Sequence, residues 1–226
     1  MAYSKRIREL CSLLTATNTF ADVGCDHGYC TEYMLKNGLC KRAIFSDISK
    51  GSLQKAERLL GEYVQNGVAT PVLGGGFYGV SPSVDLVLIA GMGGSEIVGI
   101  LSDKKYGFIP KKFVFQPMHD SEKLRRYLLE NGAYIERDYT FEDGKFYDVI
   151  VGTNVAPSGE AQGYTDLEYE FGKENLTARP QAFVKRLKKL LAGIERYLSS
   201  DGLQPSGREE LQKRKEKLEG VLKGDA

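Results

Sequence analysis

The run Phe20-Ala21-Asp22-Val23-Gly24-Cys25-Asp26-His27-Gly28-Tyr29 constrains the fold of this chain more than any other stretch. Apolar residues that pass straight into two closely spaced glycines describe a short buried strand turning sharply into a helix. A second run, Ala43-Ile44-Phe45-Ser46-Asp47, ends in a carboxylate 25 positions after Asp22. Strand, glycine turn, helix and a second strand ending in an acid form the arrangement that binds a nucleoside cofactor, with the carboxylate on the ribose hydroxyls. Asp22, Gly24, Gly28, Asp47 and the following Ile48 are therefore candidate cofactor ligands. Plain structural roles compete: Asp22 ordering the glycine turn, and Asp47 capping the next helix.

The rest of the chain continues the alternation. Ile7, Leu10, Leu13 and Leu14 mark an amphipathic helix within 3–17, and a helix over 31–37 stops at Gly38. Leu53, Ala56, Leu59, Leu60 and Val64 predict one helix over 49–65, followed by a strand over 69–73 and the turn Gly74-Gly75-Gly76. The apolar run 84–90 reads as a central parallel strand covered on both faces, and it leads through Gly91-Met92-Gly93-Gly94 into a helix over 95–101. A strand over 112–115, a helix over 121–130 and an antiparallel pair over 134–139 and 146–151 complete the pattern. It predicts an α/β fold with a Rossmann-like doubly wound sheet over residues 1–153. Residues 154–178, rich in Gly, Pro, Thr and acids, read as a linker. Two apolar stripes, Phe183 to Leu198 and Leu211 to Leu222, predict a C-terminal α-helical hairpin or coiled coil over 179–226.

The glycines alone do not choose the cofactor. A dinucleotide site needs bare backbone against its pyrophosphate, whereas this loop places Asp26 and His27 there. A carboxylate repels pyrophosphate and favours the sulfonium and ammonium of S-adenosylmethionine. The loop chemistry therefore predicts S-adenosyl-L-methionine.

Ala21 to Tyr29, Ile89-Ala90-Gly91-Met92-Gly93-Gly94, Phe115-Gln116-Pro117 and Glu142 to Tyr147 together resemble the bacterial TrmK family, over roughly residues 4 to 152. The resemblance implies a class I methyltransferase domain that moves a methyl group from S-adenosylmethionine to N1 of adenine 22 of tRNA. It also implies that Ala90, Gly91, Met92 and Gly93 line the cofactor site. The family usually carries a small polar or acidic residue where this chain has Gly75, so the adenine contacts are expected from backbone and Phe77. Met118 replaces the family's asparagine after Gln116-Pro117.

Many amino-group methyltransferases place an Asx-Pro-Pro-aromatic motif where this chain has Ala90 to Gly94, which offers neither carboxamide nor ring. Adenine N1 already presents a lone pair, so orientation and stabilisation of the positively charged product carry the catalysis. Asp26 is the candidate for that charge, and His27 for positioning the base or accepting the N6 proton. A helix cap and a turn-stabilising imidazole are their structural alternatives. Arg6 reads equally as a ligand of the cofactor carboxylate and as a solvated helix charge.

No apolar run approaches the ~20 residues needed to span a bilayer, and no charged leader precedes an apolar core, which predicts a cytoplasmic protein. Cys11, Cys25, Cys30 and Cys40 form no C-x-x-C pair and show no zinc spacing with His27 and His119, so reduced thiols and no metal are expected. Net charge is only +1, but residues 179–226 hold twelve Lys/Arg against seven Asp/Glu. Lys185, Arg186, Lys188, Lys189, Arg196, Lys213, Arg214, Lys215 and Lys217 are thus candidate tRNA contacts; a solvated coiled-coil face is the alternative. The chain is expected to act as a monomer or homodimer. The competing functions are methyl transfer to a protein or small molecule, and non-catalytic RNA binding on a methyltransferase fold.

Overall fold

A computed structural model describes residues 3–157, 159–200 and 203–224. The first helix, α1 (Lys5–Leu13), is capped by the Ser4 hydroxyl, which accepts from the Ile7 N–H. It precedes β1 (Thr19–Val23), α2 (Tyr29–Lys36) and β2 (Arg42–Asp47). The helix expected over 49–65 divides into α3 (Lys50–Leu59) and α4 (Gly61–Gln65). Leu60 leaves helical geometry at φ −95°, ψ 11°, just before Gly61, a residue that weakens a helix interior. Then follow β3 (Ala69–Leu73), β4 (Leu86–Ala90), α5 (Gly94–Leu101), β5 (Lys112–Gln116) and α6 (Ser121–Glu130).

The hairpin strands β6 (Tyr134–Asp143) and β7 (Lys145–Thr153) are longer than alternation alone predicts. Their tip is held from two sides, by the Arg6 N–H donating to Asp143 and by Lys185 pairing with Glu142. Such tertiary support is invisible to a local pattern.

The seven strands form one sheet in the order β3-β2-β1-β4-β5-β7-β6, with only β7 antiparallel to its neighbours. The order of strand addition reverses between the parallel strands β1 and β4, so their C-terminal ends open a crevice at a topological switch point. Side chains alternate between two apolar layers. Phe20, Phe45 and Leu88 pack beneath α1 to α3, while Ala21, Val87, Ile89 and Phe115 pack beneath α5 and α6.

Residues 154–178, expected as a linker, carry α7 (Asp166–Phe171) and α8 (Lys173–Ala178). Both dock on the domain: buried Arg125 donates to the Tyr169 and Glu170 carbonyls, and Asn175 bonds the Thr140 N–H. Beyond them α9 (Gln181–Leu198) and α10 (Pro205–Lys223) form an antiparallel hairpin. Arg179 donates to the Val221 and Leu222 carbonyls in the last turn of α10, where carbonyls lack full helical pairing. The hairpin has its own core of Phe183, Leu187, Leu218 and Val221, shared with Phe171 of α7. No helix among the described residues is long and apolar enough to cross a membrane.

Candidate active site

At the C-terminal ends of β1, β2 and β4 lies a cleft of about 520 Å³. Its wall includes Gly24, Asp26, Asp47, Ile48, Ala90, Gly91 and Met92, all singled out by the sequence. Asp47 is fixed by its surroundings. One carboxylate oxygen accepts from the Ser49 N–H at 2.7 Å and the other from the Asp26 N–H at 3.2 Å. The cap of α3 is Ser49, whose hydroxyl accepts from Ser52, so Asp47 is not consumed as a helix cap. Asp26 sits at φ +49°, a conformation a non-glycine residue pays to adopt. Asp47 holds that turn in place, as do the Gly24 and Cys25 N–H groups bonded to the Ser46 carbonyl.

The loop after β4 is clamped by the loop after β5. Gly91 N–H donates to the Gln116 carbonyl, Met118 N–H to the Met92 carbonyl and Gly94 N–H to the His119 carbonyl. Gly94 lies so close to the Asp120 carbonyl that a Cβ there would overlap it, which explains a glycine at that position. Gly93 lies against the His119 ring and lends its N–H to Glu96, 2.6 Å away, but is not part of the cleft wall.

Arg6 enters the cleft from α1. Buried Gln116 accepts from its Nε at 2.7 Å, its guanidinium lies 5.6 Å from the Tyr147 ring centre, and a Cβ on Gly91 would fall 3.0 Å from its Nη2. Arg6 is thus aimed by the sheet, not free in solvent. These residues fit S-adenosylmethionine: Asp47 suits a vicinal diol, Arg6 a carboxylate, Asp26 a cationic group, and Ile48 and Ile100 the flat faces of a purine.

The model of a family described as a methyltransferase domain matches residues 3–150. The chain is 31% identical over 155 residues to Mycoplasma genitalium MG248, covering 65% of this chain and 68% of that one. It is 30% identical over 151 residues to the Bacillus subtilis tRNA (adenine(22)-N(1))-methyltransferase, covering 66% of this chain and 63% of that protein. Among solved structures, Mycoplasma capricolum TrmK in complex with S-adenosyl-homocysteine superposes with a TM-score of 0.83 at 20% identity, covering 99% of both chains. The chain belongs to the TrmK family of methyltransferases.

In this TrmK-family chain five expected cofactor ligands stand away from the cleft wall. Asp22 is 5% exposed and its carboxylate accepts from the Thr31 hydroxyl at 2.8 Å. Burial pushes it up to about 6, the Thr31 hydrogen bonds oppose that shift, and the Asp47 charge adds to it. Gly28 faces α3, where a Cβ would fall 2.9 Å from that of Ala56, so its role is helix packing at φ +74°. Phe77 is 2% exposed and stacks on Phe108 at 4.2 Å, offering no face to a cofactor. Gly74 and Gly76 line the cleft while Gly75 turns behind Ile48, and Gly93 serves the loop clamp.

Sequence reasoning missed Val23, Glu96 and Ile100 in the wall. Glu96 and Ile100 are four apart along α5, a spacing that puts two side chains on one face of the helix that follows the glycine loop. That signal was present in the sequence.

At the cleft mouth the Asp26 carboxylate lies 2.7 Å from His27 Nδ1, and the His27 ring stacks on Tyr29 at 5.5 Å with an interplanar angle of 4°. Tyr3 extends this aromatic shelf, 5.8 Å from Tyr29. With Asp26 on Nδ1, a neutral His27 presents Nε2 as an acceptor. The candidate RNA contacts fall into two groups. Lys185, Arg186, Lys213, Arg214, Lys215 and Lys217 are held in ion pairs within the chain. Among the described residues Lys188, Lys189 and Arg196 have no acidic partner, and Lys189 lies 6.0 Å over the Phe146 ring. All four cysteines are free and buried.

Proposed function

We propose that this chain methylates N1 of adenine 22 in tRNA, in the cytoplasm, with S-adenosylmethionine as donor. The observation that carries this reading is the Asp26–His27 pair on the rim of the cleft. The same cleft is lined by the loop that starts at Ala90, Gly91 and Met92, whose side chains carry no base or carboxamide and whose Gly91 N–H and Met92 carbonyl are bonded to Gln116 and Met118. Such a loop has nothing to deprotonate an exocyclic amine. It suits a nitrogen that needs no proton removed.

The cofactor supplies a methyl group on a positively charged sulfur. Asp47 would hold the ribose of that molecule and Arg6 its carboxylate, with Gly24 in the wall between β1 and the bound cofactor. Tyr29 and His27 offer a flat shelf for the incoming base. As N1 gains the methyl group the base gains positive charge, which the Asp26 carboxylate stabilises. His27 Nε2 can take the N6 proton as the product relaxes. The RNA and the nucleotide number follow the Bacillus subtilis relative, a tRNA (adenine(22)-N(1))-methyltransferase.

The test is to incubate the protein with isotopically labelled S-adenosylmethionine and unmodified tRNA transcript, then digest the RNA and weigh its nucleosides. Labelled 1-methyladenosine, lost when adenine 22 is replaced by guanine, is the expected result. Label on N6-methyladenosine, on protein or nowhere would overturn the assignment.

A further inference from the structure

Away from the cleft, the tip of the β6–β7 hairpin and the outer face of α9 enclose a groove of about 550 Å³. Its walls are Phe146, Leu190, Ile194 and Tyr197, completed by Leu211 of α10, and its cations are Lys189 and Arg186, the latter paired with Asp148. Tyr197 is 65% exposed and Leu190 43%, more apolar surface than the hairpin needs to leave in water. Lys189, Gly193 and Arg196 recur at helical spacing beside that face, and neither Lys189 nor Arg196 has an acidic partner among the described residues. Aromatic rings next to unpaired cations match what a nucleotide presents, a π-face and a phosphate. A protein partner of apolar character would leave those cations buried and unpaired.

The groove also stands next to the cleft. Successive residues of a strand point to opposite faces. In β7, Tyr147 meets Arg6 on the cleft side while Phe146 meets Lys189 on the α9 side. Neighbouring residues of one strand thus touch a residue of the cleft wall and a residue of the groove wall.

Resting on the tRNA reading above, we propose that the Phe146–Tyr197 groove holds one unpaired nucleotide of the substrate RNA. Its base stacks on Tyr197 and Phe146, and its flanking phosphates meet Lys189 and Arg196. This anchor lies outside the methyl-transfer cleft and grips the strand beside the base being modified.

The experiment measures binding of the full chain to unmodified tRNA transcript over a series of salt concentrations, with S-adenosylmethionine affinity and sedimentation in parallel. Tyr197→Ala should weaken RNA binding by about 5- to 150-fold, the loss of one base–aromatic stack, without changing the salt slope. Tyr197→Phe should restore it. Lys189→Ala should lower the log–log salt slope by about 0.7–0.9, the share of one phosphate on a single strand or duplex. All three should bind S-adenosylmethionine as the parent does. RNA affinity unchanged in Tyr197→Ala, while the parent binds tRNA, overturns the groove alone. A loss of self-association with RNA affinity intact makes the groove an interface between two copies and also overturns it. A parent chain that binds no tRNA removes the functional reading and the groove's occupant together.

Discussion

Asp22→Asn should make the stability of this protein less sensitive to pH, and the size of the effect follows from its burial. The carboxyl group is 5% exposed, with one side-chain partner, the Thr31 hydroxyl. Burial raises it from 3.8 to about 6. A shift of roughly two units corresponds to about 3 kcal/mol between the two protonation states. The sign is that of a raised acid. Near pH 3.8 and below, native and unfolded chains both hold the proton, and the contribution is fully present. Between 3.8 and about 6 the native state retains a proton that the unfolded chain has released, so stability falls as pH rises. Above that range the native state carries a buried charge and the full cost of about 3 kcal/mol. Asparagine keeps an acceptor for Thr31 and never ionises. Its buried amide imposes an offset that does not vary with pH, so the informative quantity is the trend. Urea unfolding without cofactor, at several pH values from 4 to 7.5, should show the Asn variant gaining on the parent by up to about 3 kcal/mol across that range. A difference that stays flat with pH would show that Asp22 titrates normally and refute the argument from burial.

Three further outcomes test the cleft. Asp47→Ala should weaken S-adenosylmethionine binding by about 1.5–3 kcal/mol, the range for hydrogen bonds to a charged group; calorimetric affinity unchanged in a folded variant removes the ribose assignment. Asp26→Asn should reduce turnover on tRNA more than cofactor affinity, because it preserves shape while removing the charge that faces the alkylated base; equal losses in both would make Asp26 a cofactor ligand only. Gly28→Ala should destabilise the fold by about 1–3 kcal/mol, from left-handed backbone and overpacking against Ala56, with cofactor affinity within twofold. Weakened cofactor binding at unchanged stability would return Gly28 to the binding site.

The C-terminal hairpin is fastened to the sheet and to α7 by contacts that its own sequence does not announce. Arg186 reaches Asp148 at 2.7 Å, and Arg214 and Lys217 both pair with Glu170. Asp148 is buried, which pushes it up, yet Arg186 and Arg125 hold it below the usual carboxylate range. Removing residues 179–226 would strip Phe171 of its apolar cover and Asp148 of a cation. Point changes at Tyr197 and Lys189 therefore test RNA binding more cleanly than truncation.

The sequence by itself determined the alternation of strands and helices up to residue 153 and the C-terminal hairpin, though not α7 and α8, because apolar period, glycine turns and caps act within a few residues of the chain. It also placed Asp47, Gly24, Asp26 and the Ala90 to Met92 loop at strand ends, and in an open α/β sheet strand ends are where ligands bind. Tertiary structure decided which of the marked residues face the cleft. Gly28 and Phe77 carry the same local signal as Gly24 and Ile48, yet α3 and Phe108 claim them for packing. Asp22 ends its strand on the α2 side, where it meets Thr31 instead of the cofactor cavity. The fate of the basic residues was likewise settled in three dimensions. A count of charges registers Arg186 and Arg196 alike, but Arg186 is neutralised by an acid 38 positions away in the chain, while Arg196 has no acidic partner among the described residues. Local pattern encodes secondary structure through short-range sterics and hydrogen bonds. Pairing across the sheet depends on distances that no stretch of sequence contains.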